Sequence, residues 1–109
     1  MTDKKIEFLG SSLKDLKRFP DSAMQDAGYQ LHKVQTGKEP DDWKPVRSVG
    51  SGVKEVRIWD KSNTFRIIYV AKFAGIIYVL HAFQKKTEKT RKADIQIAKD
   101  RYREISRRE

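Results

Sequence analysis

The chain has 109 residues, 38% of them hydrophobic and 36% charged, with a formal net charge of +9 and no cysteine. This length predicts one domain over residues 1–109, and the lack of cysteine excludes a disulfide scaffold and a thiolate metal site. No apolar run approaches the ~20 residues that a membrane-spanning helix needs, and the charged start does not have the apolar segment of a signal peptide. We therefore expect a soluble cytoplasmic protein without a membrane partner.

The positive charge is concentrated in the second half of the chain. Lys and Arg outnumber Asp and Glu by nine to eight in residues 1–52, by five to two in residues 53–83 and by ten to five in residues 84–109. This asymmetry predicts a polyanionic partner such as a phosphate backbone. The alternative is a solvated basic helix at the C-terminus.

The first elements are a strand and two helices. Residues 5–9 alternate between charged and apolar side chains, which predicts a short strand. A serine after this strand is expected to cap a helix over residues 13–19. A second helix is expected to begin at Asp21 or Ser22 as its N-cap and to end at Gly37.

Residues 37–52 contain two prolines and three glycines and are predicted to form a long loop. Trp43 and Val46 are expected to hold this loop against the body of the domain. A structural tether is the simpler interpretation of the loop, although long loops in compact domains are often functional.

Three β-rich runs follow, over residues 53–60, 64–71 and 75–83. Turn residues separate the runs, so an antiparallel meander is the simplest topology. The third run is apolar on both sides, as is typical of a strand that is covered on both faces. Alternation in the first two runs predicts a shared core face made of Val56, Ile58, Phe65, Ile67 and Tyr69.

Turn lengths predict a row of functional side chains across these strands. A two-residue loop at residues 61–62 would place Arg57 opposite Arg66, and one at residues 73–74 would place Arg66 opposite His81. Two arginines opposite each other repel, but guanidinium groups bind phosphate in a bidentate manner and stay charged. The pattern therefore predicts a phosphate site. The alternative is that each arginine pairs with a neighbouring acid.

Glu55 is the obvious acid for such a pair, and three other residues are candidates for chemistry. His81 is a candidate acid, base or hydrogen-bond donor, with a satisfied core histidine as the alternative. Lys85 and Lys86 follow the third run and are expected at the rim of the arginine face. Crowding among cations lowers a lysine pKa and favours proton transfer, whereas the alternative is a solvated pair of charges.

A C-terminal helix is predicted from Lys92, because Ile95, Ala98, Tyr102 and Ile105 recur at helical spacing. The elements together predict an α+β fold, in which two N-terminal helices and a C-terminal helix pack around a small, mainly antiparallel sheet. We expect the helices on one face of the sheet and a basic, open second face. No metal-ligand spacing or glycine-rich phosphate loop is present, so no cofactor is expected.

Three segments carry a resemblance to a known family. Residues 52–58, 65–71 and 80–90 resemble toxins of the RelE/ParE superfamily, and more narrowly the phage-derived, HigB-like branch of type II toxin–antitoxin systems. The run His-Ala-Phe-Gln-Lys-Lys-Thr, at residues 81–87, is the most specific part. The resemblance implies a RelE-like, microbial-RNase-like fold and a metal-independent, ribosome-dependent mRNA endonuclease that inhibits translation. It also implies a helix-turn-helix, HigA-like antitoxin as partner.

The resemblance also implies roles for individual residues. Arg57 and Arg66 would stabilise the charge of the phosphorane. Lys85 or Lys86 would hold the scissile phosphate or assist proton transfer, and His81 is a candidate acid or base. Contacts to flanking RNA would come from Lys54, Thr87, Lys89 and Arg91. Some relatives use a C-terminal tyrosine, but Tyr102 lies in the apolar stripe of its helix and does not receive that role.

Two other functions remain open at this point. The first is a ParE-like toxin that inhibits DNA gyrase through protein contacts and would not need the arginine row. The second is a non-catalytic nucleic-acid-binding protein, which would bind RNA or DNA with a steep salt dependence and leave it intact. The arginine row and the segment at residues 81–87 favour the nuclease.

Overall fold

The computed structural model describes residues 3–86 and 91–109. The elements in chain order are β1 (Lys5–Phe8), α1 (Ser12–Leu16), α2 (Asp21–Gln35), β2 (Trp43–Pro45), β3 (Val53–Asp60), β4 (Asn63–Val70), β5 (Ile76–Lys85) and α3 (Lys92–Arg108). The predicted RNA contacts Thr87 and Lys89 lie outside the described residues.

The strands form one five-stranded sheet in the order β1-β5-β4-β3-β2. β1 pairs with β5 in parallel, and the other neighbouring strands pair antiparallel. The predicted α+β fold with a mainly antiparallel sheet is confirmed, and the topology is RelE-like. The prediction of an unbroken loop over residues 37–52 is wrong, because β2 lies within it. Three residues that end in a proline are too short for alternation to identify a strand.

The helix starts differ in detail from the predictions. Ser11 is at the N-cap of α1, but its Oγ donates to Asp15 Oδ2 instead of accepting from a backbone N–H. The N-cap of α2 is Pro20, so the prediction of Asp21 or Ser22 is wrong. The Ser22 hydroxyl donates to Asp60 Oδ1, which joins the first turn of α2 to the end of β3.

Helices cover both faces of the sheet. The predicted core face is confirmed, since all five of its side chains are buried beneath α1 and α2. The expectation that the opposite face is open is wrong, because α3 packs on it. Ile68 and Val70 of β4 point to this second face, where they form a core with Ala98 and Ile105 of α3. A strand that is apolar on both sides needs cover on both faces, and the stripe of α3 supplies it. What remains open is one end of this face.

A buried hydroxyl in the first core gives a test of the packing. Tyr69 is 1% exposed, and its Oη has no hydrogen-bond partner among the described residues. Burial, with the charge of Glu39 as a second cause, raises the pKa of Tyr69, so the unpaired group is a neutral phenol. We expect Tyr69→Phe to raise the free energy of unfolding by about 1 kcal/mol in urea denaturation, because it removes an unsatisfied polar atom and leaves the ring.

Tyr78 provides the matched control for this substitution. Its hydroxyl donates to Glu109 Oε2 at 2.6 Å. We expect Tyr78→Phe to lower the free energy of unfolding by about 1 kcal/mol, because a hydrogen bond to a charged acceptor is lost. A loss of stability in Tyr69→Phe would contradict the assignment of an unpaired hydroxyl.

Candidate active site

The register between β3 and β4 places two arginines side by side. Asp60 pairs with Asn63 across a two-residue loop in which Lys61 has a φ of 56°. This short loop is the one predicted, and it sets Arg57 directly opposite Arg66. The arginine pair is therefore confirmed. Both side chains lie on the face of the sheet that α3 partly covers.

The register between β4 and β5 differs from the prediction. Arg66 faces Phe83, and His81 faces Ile68, two residues along the strand. The connection between the strands has five residues rather than the predicted turn, which shifts the register by one. A β-bulge at Ile68 and Tyr69 shifts it by one more. Because the two shifts add to an even number, His81 stays on the arginine face although it leaves the arginine row.

An arginine of α3 holds the bulged part of β5. Arg101 Nη1 donates to the carbonyl oxygen of Leu80 at 2.8 Å, and Nη2 donates to Ser11 Oγ at 3.2 Å. The guanidinium also lies against Gly10, where a Cβ would come within 2.5 Å of Arg101 Nε. Gly10 has a φ of +53°, so glycine suits this position both for its backbone and for the space it leaves. Arg101 thus ties β5 to α3 directly beside His81.

His81 lies in the interior rather than at the open end of the face. Its Nε2 is 2.7 Å from Asp94 Oδ1 at the start of α3, and its ring stacks on Phe83 at 4.9 Å. His81 is 5% exposed. Asp94 Oδ2 also accepts from Arg91 Nε at 3.3 Å. The Nε2 contact joins β5 to α3, as in the core-histidine alternative, but the buried Nδ1 has no hydrogen-bond partner among the described residues. The role of His81 as acid or base stays a prediction.

The end of the face that α3 does not cover carries four cations and two carboxylates, of which Arg66 and Glu55 are buried. We call this group the basic cluster; its members are Lys44, Arg57, Arg66, Lys85, Asp42 and Glu55. Lys44 lies opposite Glu55 across β2 and β3, and Lys85 lies opposite Thr64 across β5 and β4. With twice as many cations as carboxylates, the cluster keeps an excess of positive charge where α3 does not cover it.

Each arginine of the cluster has one acidic neighbour. Arg66 Nη1 donates to Glu55 Oε2 at 2.9 Å, and the Glu55 side chain is 0% exposed. Arg57 Nε lies 3.0 Å from Asp42 Oδ1, and both side chains are about one-third exposed. The prediction that the arginines pair with neighbouring acids is therefore confirmed, but it does not remove the phosphate interpretation. Lys44 Nζ is a second cation near Glu55, at 3.8 Å.

Burial and charge act on the titration of this cluster. Burial lowers the pKa of Arg66, the charge of Glu55 opposes this effect, and the charge of Arg57 adds to it. The pKa of Lys85 is also lowered, first by burial and then by the charges of Arg66 and Lys44. The predicted direction for Lys85 is confirmed, although burial contributes more than the crowding of cations. Lys86 lies beyond the end of β5 and is exposed.

Lys54 does not belong to the basic cluster. It faces Tyr69 across β3 and β4, and so points to the α2 side of the sheet. Its Nζ pairs with Glu39 at 2.8 Å and lies 4.4 Å from the ring centre of Trp43. Lys54 therefore lies on the opposite side of the sheet from the arginines, because even-numbered residues of β3 point away from Arg57, and its contact to flanking RNA stays a prediction.

Sequence reasoning missed Asp42 and Lys44 as members of the site. Both come from the segment interpreted as a loop, and the only signal there was the run Trp-Lys-Pro at residues 43–45. Residues 3–86 and 91–109 contain no group of three or more His, Asp or Glu side chains that could hold a metal ion. Across the same residues, no helix is long and apolar enough to cross a membrane.

Comparison with known proteins assigns the family. A family model described as Phage derived protein Gp49-like (DUF891) matches residues 14–103, a range that contains the whole basic cluster. A search of curated proteins gave no match. Gp49-like proteins are known as HigB-like toxins of the RelE/ParE superfamily, in agreement with the RelE-like topology of the sheet. The chain belongs to the phage-derived Gp49-like family of HigB-like toxins.

Proposed function

We propose that this chain, acting as one toxin domain over residues 1–109, is the toxin of a type II toxin–antitoxin system. Its proposed activity is that of a cytoplasmic, metal-independent mRNA endonuclease that cleaves on the ribosome and inhibits translation. The observation that supports this most is the basic cluster. It gathers two guanidinium groups and a lysine of lowered pKa at the open end of a sheet face.

The proposed reaction suits these groups. The 2′-hydroxyl oxygen attacks the adjacent phosphorus while its proton passes to a solvent water. The bond from phosphorus to O5′ breaks as O5′ takes up a proton, and a 2′,3′-cyclic phosphate and a 5′-hydroxyl result. Negative charge builds on the phosphoryl oxygens in the transition state, where positioned cations lower the barrier most. We assign this role to Arg57 and Arg66. Glu55 holds the Arg66 guanidinium at 2.9 Å and thereby fixes its direction.

Lys85 is proposed to act on the same phosphate. Its ammonium binds the phosphate and supplies the proton that the departing O5′ needs. A lowered pKa favours this transfer, because an acid works best when its pKa approaches the working pH. We assign His81 no contact to this phosphate, since it faces Ile68 rather than Arg66 and its Nε2 contacts Asp94. Lys86 is proposed as a second phosphate contact.

Two kinds of partner follow from this proposal. Flanking RNA is proposed to bind at Arg91, which precedes α3, and at Thr87 and Lys89, which lie outside the described residues. The guanidinium of Arg91 is 63% exposed while its Nε holds Asp94, so it has room for a phosphate. A helix-turn-helix antitoxin of the HigA type, encoded beside this gene, is proposed to keep the toxin inactive.

The decisive experiment maps mRNA 5′ ends after induced expression, with and without the neighbouring gene product. We expect growth arrest with new ends inside translated codons. Arg57→Ala is expected to reduce cleavage by about a hundredfold or more. Arg57 suits this test because its partner Asp42 is at the surface, so the substitution leaves no buried charge behind.

Two outcomes would contradict the nuclease, and a third would contradict the role of Arg57. Growth arrest without new ends, together with DNA gyrase inhibition, would assign a ParE-like activity. RNA binding with a steep salt dependence but no cleavage would assign a binding protein. Full cleavage by Arg57→Ala would remove Arg57 from the mechanism.

A further inference from the structure

Trp59 is the most exposed large apolar side chain in the part of the chain that the structure describes, at 63%. We propose that its indole is a stacking platform for an unpaired RNA base beside the scissile phosphate. This inference rests on the proposed function and names the part of the substrate that the toxin reads. A tryptophan retained for packing would be buried, whereas this one presents most of its surface to solvent.

The register places Trp59 beside the basic cluster. It is two residues from Arg57 on the same face of β3, about 6.5 Å along the strand. It lies opposite Thr64, which in turn faces Lys85. Two strand spacings, about 10 Å, therefore separate the backbone of Trp59 from that of Lys85. A base on the indole would thus have its phosphate within reach of both cations.

One carboxylate fixes both the indole and the arginine. Asp42 Oδ2 accepts from Trp59 Nε1 at 2.9 Å, while Asp42 Oδ1 lies 3.0 Å from Arg57 Nε. The Arg57 backbone N–H also donates to the Asp42 carbonyl oxygen at 2.8 Å. Because Asp42 holds one edge of the ring, the orientation of the indole is set relative to the guanidinium. Asp42 is therefore a positioning residue for the platform.

An aromatic ring next to phosphate-binding cations is the arrangement that binds single-stranded nucleic acid. Bases stack on the ring, cations hold the backbone, and removal of one stacking ring costs about a tenfold to hundredfold loss of affinity. Exposed tryptophans also occur at protein interfaces. The shared contact with Asp42 favours RNA as the partner, because it places the indole beside the phosphate-binding guanidinium of Arg57 rather than in an apolar patch. The other large exposed apolar side chains, Leu13 and Tyr29, lie on α1 and α2.

The test is a double-substitution cycle between Trp59 and the RNA base. Ribosomes are programmed with an mRNA that carries 2′-O-methyl groups in the A-site codon, so that binding is measured without cleavage. Each base of that codon is then removed in turn to give an abasic site. We expect Trp59→Ala to weaken binding by about tenfold to a hundredfold and Trp59→Phe to weaken it less. One of the abasic sites is expected to weaken binding of the unsubstituted toxin by the same factor as Trp59→Ala.

The cycle separates the platform from the nuclease. If Trp59 stacks on that base, the abasic site will have no further effect in Trp59→Ala, because both changes remove the same contact. If the affinity losses from Trp59→Ala and from the abasic site multiply at every codon position, the two changes are independent and the stacking proposal is wrong. Failure of the unsubstituted toxin to bind the programmed ribosome would instead overturn the proposed function.

Two controls test whether the loss is specific to Trp59 and to RNA. Tyr29→Ala removes an aromatic ring of similar exposure, 57%, from the opposite side of the sheet and is expected to bind the ribosome normally. Urea denaturation of Trp59→Ala shows whether the fold is retained. Loss of antitoxin binding in Trp59→Ala with unchanged RNA affinity would overturn the inference in favour of a protein contact.

Discussion

Arg66→Ala is expected to lower the free energy of unfolding by about 3 kcal/mol and to reduce cleavage by about a hundredfold or more. The stability loss arises because the Glu55 carboxylate is fully buried and loses the guanidinium that lies 2.9 Å away. A buried charge without its partner costs more than the pair contributed. Lys44 compensates in part, since its Nζ lies 3.8 Å from the same oxygen.

The control for Arg66→Ala is a second substitution that removes the negative charge of Glu55. In Glu55→Gln with Arg66→Ala, the buried carboxylate becomes a neutral amide, so most of the lost stability should return while cleavage stays low. Urea denaturation gives the stability, and single-turnover cleavage on programmed ribosomes gives the activity. Unchanged stability in Arg66→Ala would contradict the buried ion pair. Full activity of the stable double variant would contradict a role of Arg66 in chemistry.

This coupling changes how a growth assay is interpreted. Loss of toxicity in Arg66→Ala alone would follow equally from unfolding and from lost chemistry. Arg57→Ala does not have this ambiguity, because Asp42 remains solvated when its partner is removed. The pair of variants therefore distinguishes a toxin that needs its arginines for catalysis from one that needs Arg66 for its fold.

The sequence identified four of the six members of the basic cluster, and local signals were enough to pair its two arginines. Residues 61–62 form a tight turn, and a two-residue loop fixes the register of both strands, so Arg57 and Arg66 could be paired from the sequence. Alternation in the same two strands identified the α2 face of the core. Both inferences depend on residues that are close in the chain.

The rest depends on contacts between distant segments. Nothing in the sequence near residues 71–81 indicates that Arg101 binds the Leu80 carbonyl beside a bulge. This bulge and the five-residue connection together move His81 by two positions. Asp42 and Lys44 join the site through β2, whose three residues carry no measurable period. α3 packs on the second face of the sheet because β4 and β5 are apolar there. The sequence of β5 does not show this, because the strand is apolar on both sides.

The basic cluster is held together against its own repulsion. Four cations share one end of a sheet face with two carboxylates, and both Arg66 and Lys85 have lowered pKa values as a result of burial and neighbouring positive charge. Sites built for binding and catalysis often sacrifice stability in this way. Lys85 is the less buried of these two residues. Its substitution should therefore raise the free energy of unfolding and lower the cleavage activity.

Lys85→Gln is expected to reduce cleavage by about a hundredfold and to raise the free energy of unfolding at pH 7 by about 0.5 kcal/mol or less, since Lys85 is partly solvated. The Lys85 ammonium is disfavoured in the folded state, so it lowers the free energy of unfolding by its full amount at pH values below the lowered pKa. Between that pKa and 10.5, the unfolded chain binds more protons, and the stability of the unsubstituted toxin rises with pH. The stability difference between the two proteins should shrink across this window.

The pH dependence of cleavage gives the matching test of the chemistry. If the Lys85 ammonium acts on the phosphate, single-turnover cleavage should fall as the pH rises through the lowered pKa, at a pH below 10.5. Lys85→Arg keeps the charge at every accessible pH, so its profile should stay flat on the alkaline side even where its rate is lower. If the cleavage rate of Lys85→Arg falls at the same alkaline pH and by the same factor as that of the unsubstituted toxin, a group other than Lys85 is responsible for the titration. Full activity of Lys85→Gln would remove Lys85 from the reaction and leave the two arginines and Lys86 as the proposed phosphate contacts.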